Sequence, residues 1–167
     1  MIESKFLQDN VQNIQKLMTL SPLKNFETGS LKQLLRLSKI REYGDGELII
    51  EEGERDPWIY FLLAGRVRVE KNGVAIRHID KVGEILGEMR ILDGLSRSAS
   101  VYAEGKTISL AVDTSATDRL ASDDERANFL LLLYRIFSEF ISLRLRLTNE
   151  ELVKTKKELE NLKQHRG

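Results

Sequence analysis

From Glu47 to Val112 the chain is cut every few residues by residues that turn it: Gly53, Pro57, Gly65, Asn72-Gly73, Asp80, Gly83, Gly94 and Gly105. The runs left between them, Leu48–Ile50, 59–63, 67–70, Val74–Ile79, 98–103 and 107–112, are too short for helices and suit strands. Asn72-Gly73 is the strongest turn signal, because a two-residue hairpin of type I′ needs two residues that tolerate positive φ. Many short strands at this spacing argue for a small all-β roll or barrel.

Helical periodicity flanks this region. Phe6, Val11, Ile14, Leu17 and Met18 predict an amphipathic helix over 3–19, interrupted by Ser21 and Pro22. A second helix is expected over 30–38, with Ser30 as N-cap and Leu31, Leu34, Leu35 and Leu37 on its buried side; residues 43–46 then mark a turn. From Asp118 onward there is no proline and, before the last residue, no glycine. Leu131, Tyr134, Ser138, Ile141, Leu145, Thr148, Leu152, Thr155, Leu159 and Leu162 follow steps of three and four, the a/d seam of a long helix that could pair with another.

Composition narrows the function. The 167 residues carry 41% hydrophobic residues, enough for one domain with an appendage. With 26 basic and 26 acidic residues, no overall basic field exists to hold a polyanion. Absence of cysteine removes disulfides and thiolate metal ligands. His78 and His165 are the only histidines and fall on different elements, so no imidazole cluster supports a β-roll metalloenzyme, and no metal is expected. The first ten residues lack the apolar core of a signal peptide. The longest apolar run, 129–134, is far short of the ~20 residues of a membrane span. These features together predict a soluble, cytoplasmic protein, not an enzyme.

Residues 82–102, VGEILGEMRILDGLSRSASVY, hold the chemistry. A short helix beginning near Glu88 would point free backbone N–H groups at an anion. Arg97 offers a planar fork of donors that stays charged and matches two phosphate oxygens. Glu88 repels phosphate, so its useful partner is a hydroxyl donor such as a sugar, and Gly87 permits close backbone approach. The combination asks for a ligand with both a ribose and a phosphate. The same residues also read as a surface turn in which Glu88 and Arg97 pair with each other.

Leu86-Gly87-Glu88-Met89-Arg90-Ile91-Leu92, followed by Arg97-Ser98-Ala99-Ser100-Val101, resembles the phosphate-binding cassette of cyclic nucleotide-binding domains, the family of catabolite activator proteins and cyclic-AMP-dependent kinase regulatory subunits. Gly46-Glu47-Leu48-Ile49, Glu52-Gly53, Ile59-Tyr60-Phe61 and Gly65-Arg66-Val67-Arg68-Val69 resemble that family's first strands in order and spacing. The resemblance implies an eight-stranded double-stranded β-helix (jelly roll), with N-terminal helices and a long C-terminal helix. The expected boundaries are an N-terminal helix in 1–21, a cyclic nucleotide-binding β-roll in 22–117 and lid or dimerisation helices in 118–167. It further implies that Glu88 accepts from the ribose 2′-hydroxyl and that Arg97 pairs with the cyclic phosphate. Leu86, Gly87, Met89, Arg90, Ser98 and Ala99 complete the cassette by close backbone approach or N–H donation. Ser98 stands where cyclic-AMP binders commonly carry Ala or Ser and many cyclic-GMP binders carry Thr, which favours cAMP over cGMP. Two departures stand out: Leu86 replaces a common Phe, and Arg90 replaces a small residue. The Arg90 side chain has three options: to point to solvent, to add a second cation at the phosphate, or to block the pocket.

Residues 143–152, LRLRLTNEEL, resemble the hinge-side helix of the catabolite activator protein family, whose Thr and Ser reach the adenine from one subunit and from its dimer partner; Thr148 and Asn149 occupy those positions. Thr148 also reads as an adjustment of coiled-coil packing. The residues that follow are charged helix and no helix-turn-helix, so the expected protein is a cyclic-nucleotide sensor (cAMP, with cGMP the alternative), homodimeric through its last helix, acting on an unidentified downstream protein. The competing expectation is a scaffold on the same fold whose pocket no longer binds nucleotide.

Overall fold

The computed structural model describes residues 1–164. The order of elements is β1 (Ile2–Glu3), α1 (Val11–Met18), α2 (Thr28–Arg36), β2 (Ser38–Tyr43), β3 (Leu48–Ile50), β4 (Trp58–Lys71), β5 (Val74–Ile79), β6 (Ile85–Leu86), α3 (Glu88–Asp93), β7 (Ser100–Asp113), a 3-10 turn (Thr117–Arg119) and α4 (Asp123–Gln164). All strand pairs are antiparallel, in the order β1-β2-β7-β4-β5, with β3 on β7 and β6 on β4. This is the mainly-β roll with N-terminal helices and a long C-terminal helix that the sequence leads one to expect.

Seven strands are present among the described residues where the resemblance implies eight, and at two places a glycine bulges the chain instead of turning it. The runs 59–63 and 67–70 are one strand, β4, and 98–103 and 107–112 are one strand, β7. Gly65 sits at φ 90°, at the shift in β4–β7 register; a Cβ there would lie 2.5 Å from the Lys106 carbonyl oxygen, so only glycine fits. Each long strand then pairs with several partners along its length, β4 with β6 near Tyr60 and with β5 beyond Val67, which wraps the sheet into a roll. The Asn72-Gly73 hairpin forms with φ values of 50° and 75°, as a type I′ turn requires.

Both faces of β4 are buried, which is why its sequence WIYFLL is a continuous apolar run and not an alternation. Ile59 and Phe61 pack outward with Leu31, Leu34 and Leu35 of α2 and Phe129, Leu133 and Phe137 of α4. Tyr60 and Leu62 point into the roll with Ile50, Val67, Ile79, Leu86 and Val101.

The flanks differ from expectation at three places. The first helix spans only Val11–Met18, because Asn10 caps it through its side chain to the Asn13 amide (2.9 Å), while residues 2–7 lie along β2. The second begins at Thr28 with no side-chain cap, which puts Ser30 inside the helix, although Leu31, Leu34, Leu35 and Leu37 are buried as expected. The long helix starts at Asp123, after Ser122 caps it through Oγ to the Glu125 amide (3.2 Å). Along α4 the buried stripe is Phe129, Leu132, Leu133, Ile136 and Phe137, whereas the a/d residues Leu131, Tyr134, Leu145, Leu152, Leu159 and Leu162 are exposed. His165 and Arg166 lie outside the described residues.

Candidate functional site

β6 delivers Leu86 to the edge of the roll, and the chain then turns through Gly87 at φ 85° into α3. A Cβ on Gly87 would sit 2.3 Å from Arg97 Nη1, so glycine is required both by conformation and by the closeness of that guanidinium. Glu88, the first residue of α3, is only 3% exposed. Its Oε1 accepts from Arg144 Nη1 (3.0 Å), while Arg144 Nη2 donates to Glu84 Oε2 (3.2 Å) and to the Ile85 carbonyl (3.2 Å). Arg144 thus fastens α4 to the cassette, its guanidinium also lying 4.3 Å from the Phe140 ring centroid. Burial pushes the Glu88 carboxyl above the ordinary carboxylate range, against the opposing pull of Arg144.

Arg97 is equally buried, at 3% exposure. Its fork is turned on Asp56, with Nε to Oδ2 at 2.9 Å and Nη2 to Oδ1 at 2.6 Å, while Nη1 donates to the Gly87 carbonyl (2.7 Å) and Nη2 to the Trp58 carbonyl. Burial alone would raise the Asp56 carboxyl; hydrogen bonding and charge from Arg97, with the Trp58 amide, outweigh it and hold the group below its ordinary value.

Leu86, Gly87, Glu88, Met89, Arg90, Arg97, Ser98 and Ala99 all line one cavity of about 220 Å³, with Arg77 of β5 and Arg144 of α4 on its other walls. The floor is apolar, with Ile50, Val69 and Val101 among its residues. Arg90 stands in the cavity wall: Nη2 donates to the Arg55 carbonyl (2.9 Å), and Nε is shielded from solvent with no hydrogen-bond partner. Ser98 is exposed, its Oγ 3.8 Å from Met89 Sδ. Thr148 lies outside the cavity, in an adjoining cleft of about 310 Å³ whose wall shares Arg77 and Arg144 with it. Asn149 lines neither space and sits on the outer surface of α4 beside Val153 and Lys157.

Four residues of the site carried no recognisable signal in the sequence: Asp56, Arg77, Glu84 and Arg144. Asp56 reads as part of a turn before Pro57, and Arg144 sits one position before the a/d seam, where a charge reads as solvated. His78 is an exposed β5 residue whose Nδ1 lies 3.0 Å from Glu104 Oε2. Among the described residues no group of three or more His, Asp or Glu could hold a metal ion.

Comparison with known proteins gives the family and the fold. The profile of the cyclic nucleotide-binding domain family matches residues 40–124, just over half of the chain. The chain is 36% identical over 106 residues to the cAMP-dependent protein kinase type II regulatory subunit of Drosophila melanogaster, an alignment covering 60% of this chain and 27% of that protein. It is 27% identical over 90 residues to the cGMP-dependent protein kinase of Eimeria tenella, covering 54% of this chain and 9% of that one. The chain therefore spans about a quarter or less of the length of these curated relatives. Among solved structures, a cyclic nucleotide-binding domain from Methylobacillus flagellatus superposes with a TM-score of 0.66 over 86% of this chain and 82% of its own, at 20% identity, a likeness of fold.

Proposed function

The chain belongs to the cyclic nucleotide-binding domain family, and from that membership we propose that it is a non-catalytic regulatory module that binds a cyclic nucleotide, cAMP in preference to cGMP, in the cavity of residues 86–99. The observation that carries this reading is the burial of Glu88 and Arg97 on the wall of one cavity, opposite charges in the places a ribose hydroxyl and a cyclic phosphate call for. The preference for cAMP rests on Ser98. Net charge agrees: Arg77, Arg90, Arg97 and Arg144 stand against Asp56, Glu84 and Glu88, which leaves one positive charge for one phosphodiester. Leu86, Gly87, Met89, Ser98 and Ala99 shape the phosphate end, Arg90 adds a second cation there, and Thr148 meets the base from the adjoining cleft.

Both key groups already have protein partners, and that defines the mechanism. The phosphate competes with Asp56 for the Arg97 fork, and the ribose hydroxyl competes with Arg144 for Glu88. Binding therefore loosens the Arg144 clasp between α4 and the cassette, and the population of α4 positions shifts. The same contacts support the second reading, a scaffold whose pocket no longer binds nucleotide because Arg97 and Glu88 stay paired with Asp56 and Arg144.

The proposal extends to a parallel homodimer through α4, which places Asn149 near the neighbouring site. Leu145, Leu152 and Leu159 are exposed on the seam. In a parallel pair, Glu151 and Glu158 at g positions face Lys156 and Lys163 at the e positions of the other helix; an antiparallel pair would oppose like charges. Among the described residues no helix is long and apolar enough to cross a membrane, and we place the protein in the cytoplasm, acting on a separate downstream protein. The boundaries proposed for its parts are 1–21, 22–117 and 118–167. Arg97→Ala tests the site: it removes the phosphate's charge partner and should cost about 2–5 kcal/mol of cAMP binding by calorimetry; unchanged affinity would refute the assignment.

A further inference from the structure

β2 has β7 on one side and, on the other, only residues 1–7. That outer side is a sheet edge, and the contact along it is polar. Ser4 N donates to the Ile40 carbonyl (2.9 Å), Ile40 N to Ser4 Oγ (2.9 Å) and Leu7 N to the Ser38 carbonyl (2.9 Å), while Ile2 is 72% exposed. Two side chains of the strap fit specific partners. Glu3 is gripped by Lys39 Nζ (2.7 Å) and Arg41 Nε (2.6 Å), which together hold its carboxyl below the ordinary range despite some burial. The Phe6 ring lies between Lys39 Nζ (4.7 Å from its centroid) and the Arg119 guanidinium (3.9 Å).

The receiving surface is built by β2 together with its neighbours. Ser109 and Ala111 of β7 stand opposite Arg41 and Lys39, and their short side chains let β2 reach across to β4. Arg41 stacks 3.9 Å from the Trp58 ring and donates to Tyr60 Oη (2.9 Å). Lys39, Arg41 and Arg119 make a row of cations braced on aromatics along a strand edge whose backbone groups are met by residues 1–7 alone, which suits an extended chain that adds a strand and carries a carboxylate. A basic or neutral occupant would leave Lys39 and Arg41 without a counter-charge, so the edge selects acidic segments.

We propose that the outer edge of β2 is a peptide-binding site, occupied in cis by residues 1–7, that accepts from another protein an extended segment with a carboxylate in the place of Glu3 and an aromatic three residues on in the place of Phe6. Trp58 is the only tryptophan of the chain and reports on the site directly. The test uses the full chain carrying Glu3→Lys, which weakens the strap, titrated with the peptide of residues 1–7 (MIESKFL) and with the same peptide bearing Lys for Glu. The expected result is a saturable change in Trp58 fluorescence, at least tenfold tighter for the Glu peptide than for the Lys peptide, and at least tenfold weaker binding of the Glu peptide by the unaltered chain, whose strap competes. No response, or equal response to both peptides, overturns the proposal provided the circular dichroism of the variant matches the parent. If Glu3→Lys does not fold, Glu3→Gln takes its place in the same comparison. A dimer of the unaltered chain that is lost in the strap variant would assign the edge to a second copy instead, and would also overturn it.

Discussion

Glu88 lies in the cassette and Asp56 pairs with the cassette's Arg97, and their surroundings push the two carboxyls in opposite directions. Glu88 is raised in the folded chain by burial, so its contribution to stability is complete below the ordinary carboxylate range, about pH 4, and is lost as pH rises through the raised folded value. Asp56 is depressed by Arg97, so its contribution is present above about pH 4 and is lost as pH falls through the lowered value. Two neutral isosteres should therefore part ways in thermal melts at pH 4 and pH 7. Glu88→Gln gains on the parent at pH 7 relative to pH 4, and Asp56→Asn loses on it; the same sign of change for both would contradict these environments. The Glu88 result would also mean that a buried carboxylate is kept at a cost in stability, as a ribose-binding acid requires. Gly87→Ala is the complementary steric test. Its Cβ cannot coexist with Arg97 Nη1, so it should lower the melting temperature and weaken ligand binding together.

The helix α4 carries two apolar stripes with different tasks, and only one was legible in the sequence. The a/d seam from Leu131 to Leu162 stands out because its spacing is regular over many turns, yet the roll is held by Phe129, Leu132, Leu133, Ile136 and Phe137, interleaved with the first turns of that seam. Leu132→Ala should cost about 2–5 kcal/mol in urea unfolding, whereas Leu131→Ala, at 67% exposure, should stay within about 0.5 kcal/mol for the monomer. Equal losses would mean that the helix is rotated from the position described. β2 was hidden for a related reason. Its alternation is carried by Lys39 and Arg41, which bury their stems and stack on Phe6 and Trp58, so a half-buried strand has the composition of a surface one. β4 and β7 were each read as two strands, since a glycine bulge and a glycine turn look alike until the register is known. Trp58 links this end of the roll to the site, because its amide donates to Asp56 and its carbonyl accepts from Arg97. Cyclic AMP should therefore alter Trp58 fluorescence, and an unchanged spectrum at saturation would show that the Arg97–Asp56 pair is left intact.

At the scale of the whole molecule, the cassette of residues 86–101 could be found from sequence because it is contiguous and its residue types are unusual together. Its partners could not. Asp56, Arg77, Glu84 and Arg144 come from a loop, a strand edge, a turn and the last helix, and only the wrapping of the roll brings Arg77 and Arg144 to the cavity wall and sets Asp56 and Glu84 against the arginines that line it. Arg144 gives the molecule its proposed logic, since it spans from α4 to Glu88 and Glu84, so that what fills the cavity sets how firmly the helix is held. Sedimentation with and without cAMP checks the dimer: a pair that persists at micromolar concentration and is broken by Leu152→Lys is expected, and a monomer throughout would remove the seam from the account. The central claim is that the cavity binds a cyclic nucleotide through Glu88 and Arg97. Calorimetric titration of the unaltered chain with cAMP and with cGMP measures it most directly. One cAMP per chain, bound more tightly than cGMP, is the predicted result; a folded chain that takes up neither would contradict it and leave the cavity closed by its own arginine–carboxylate pairs.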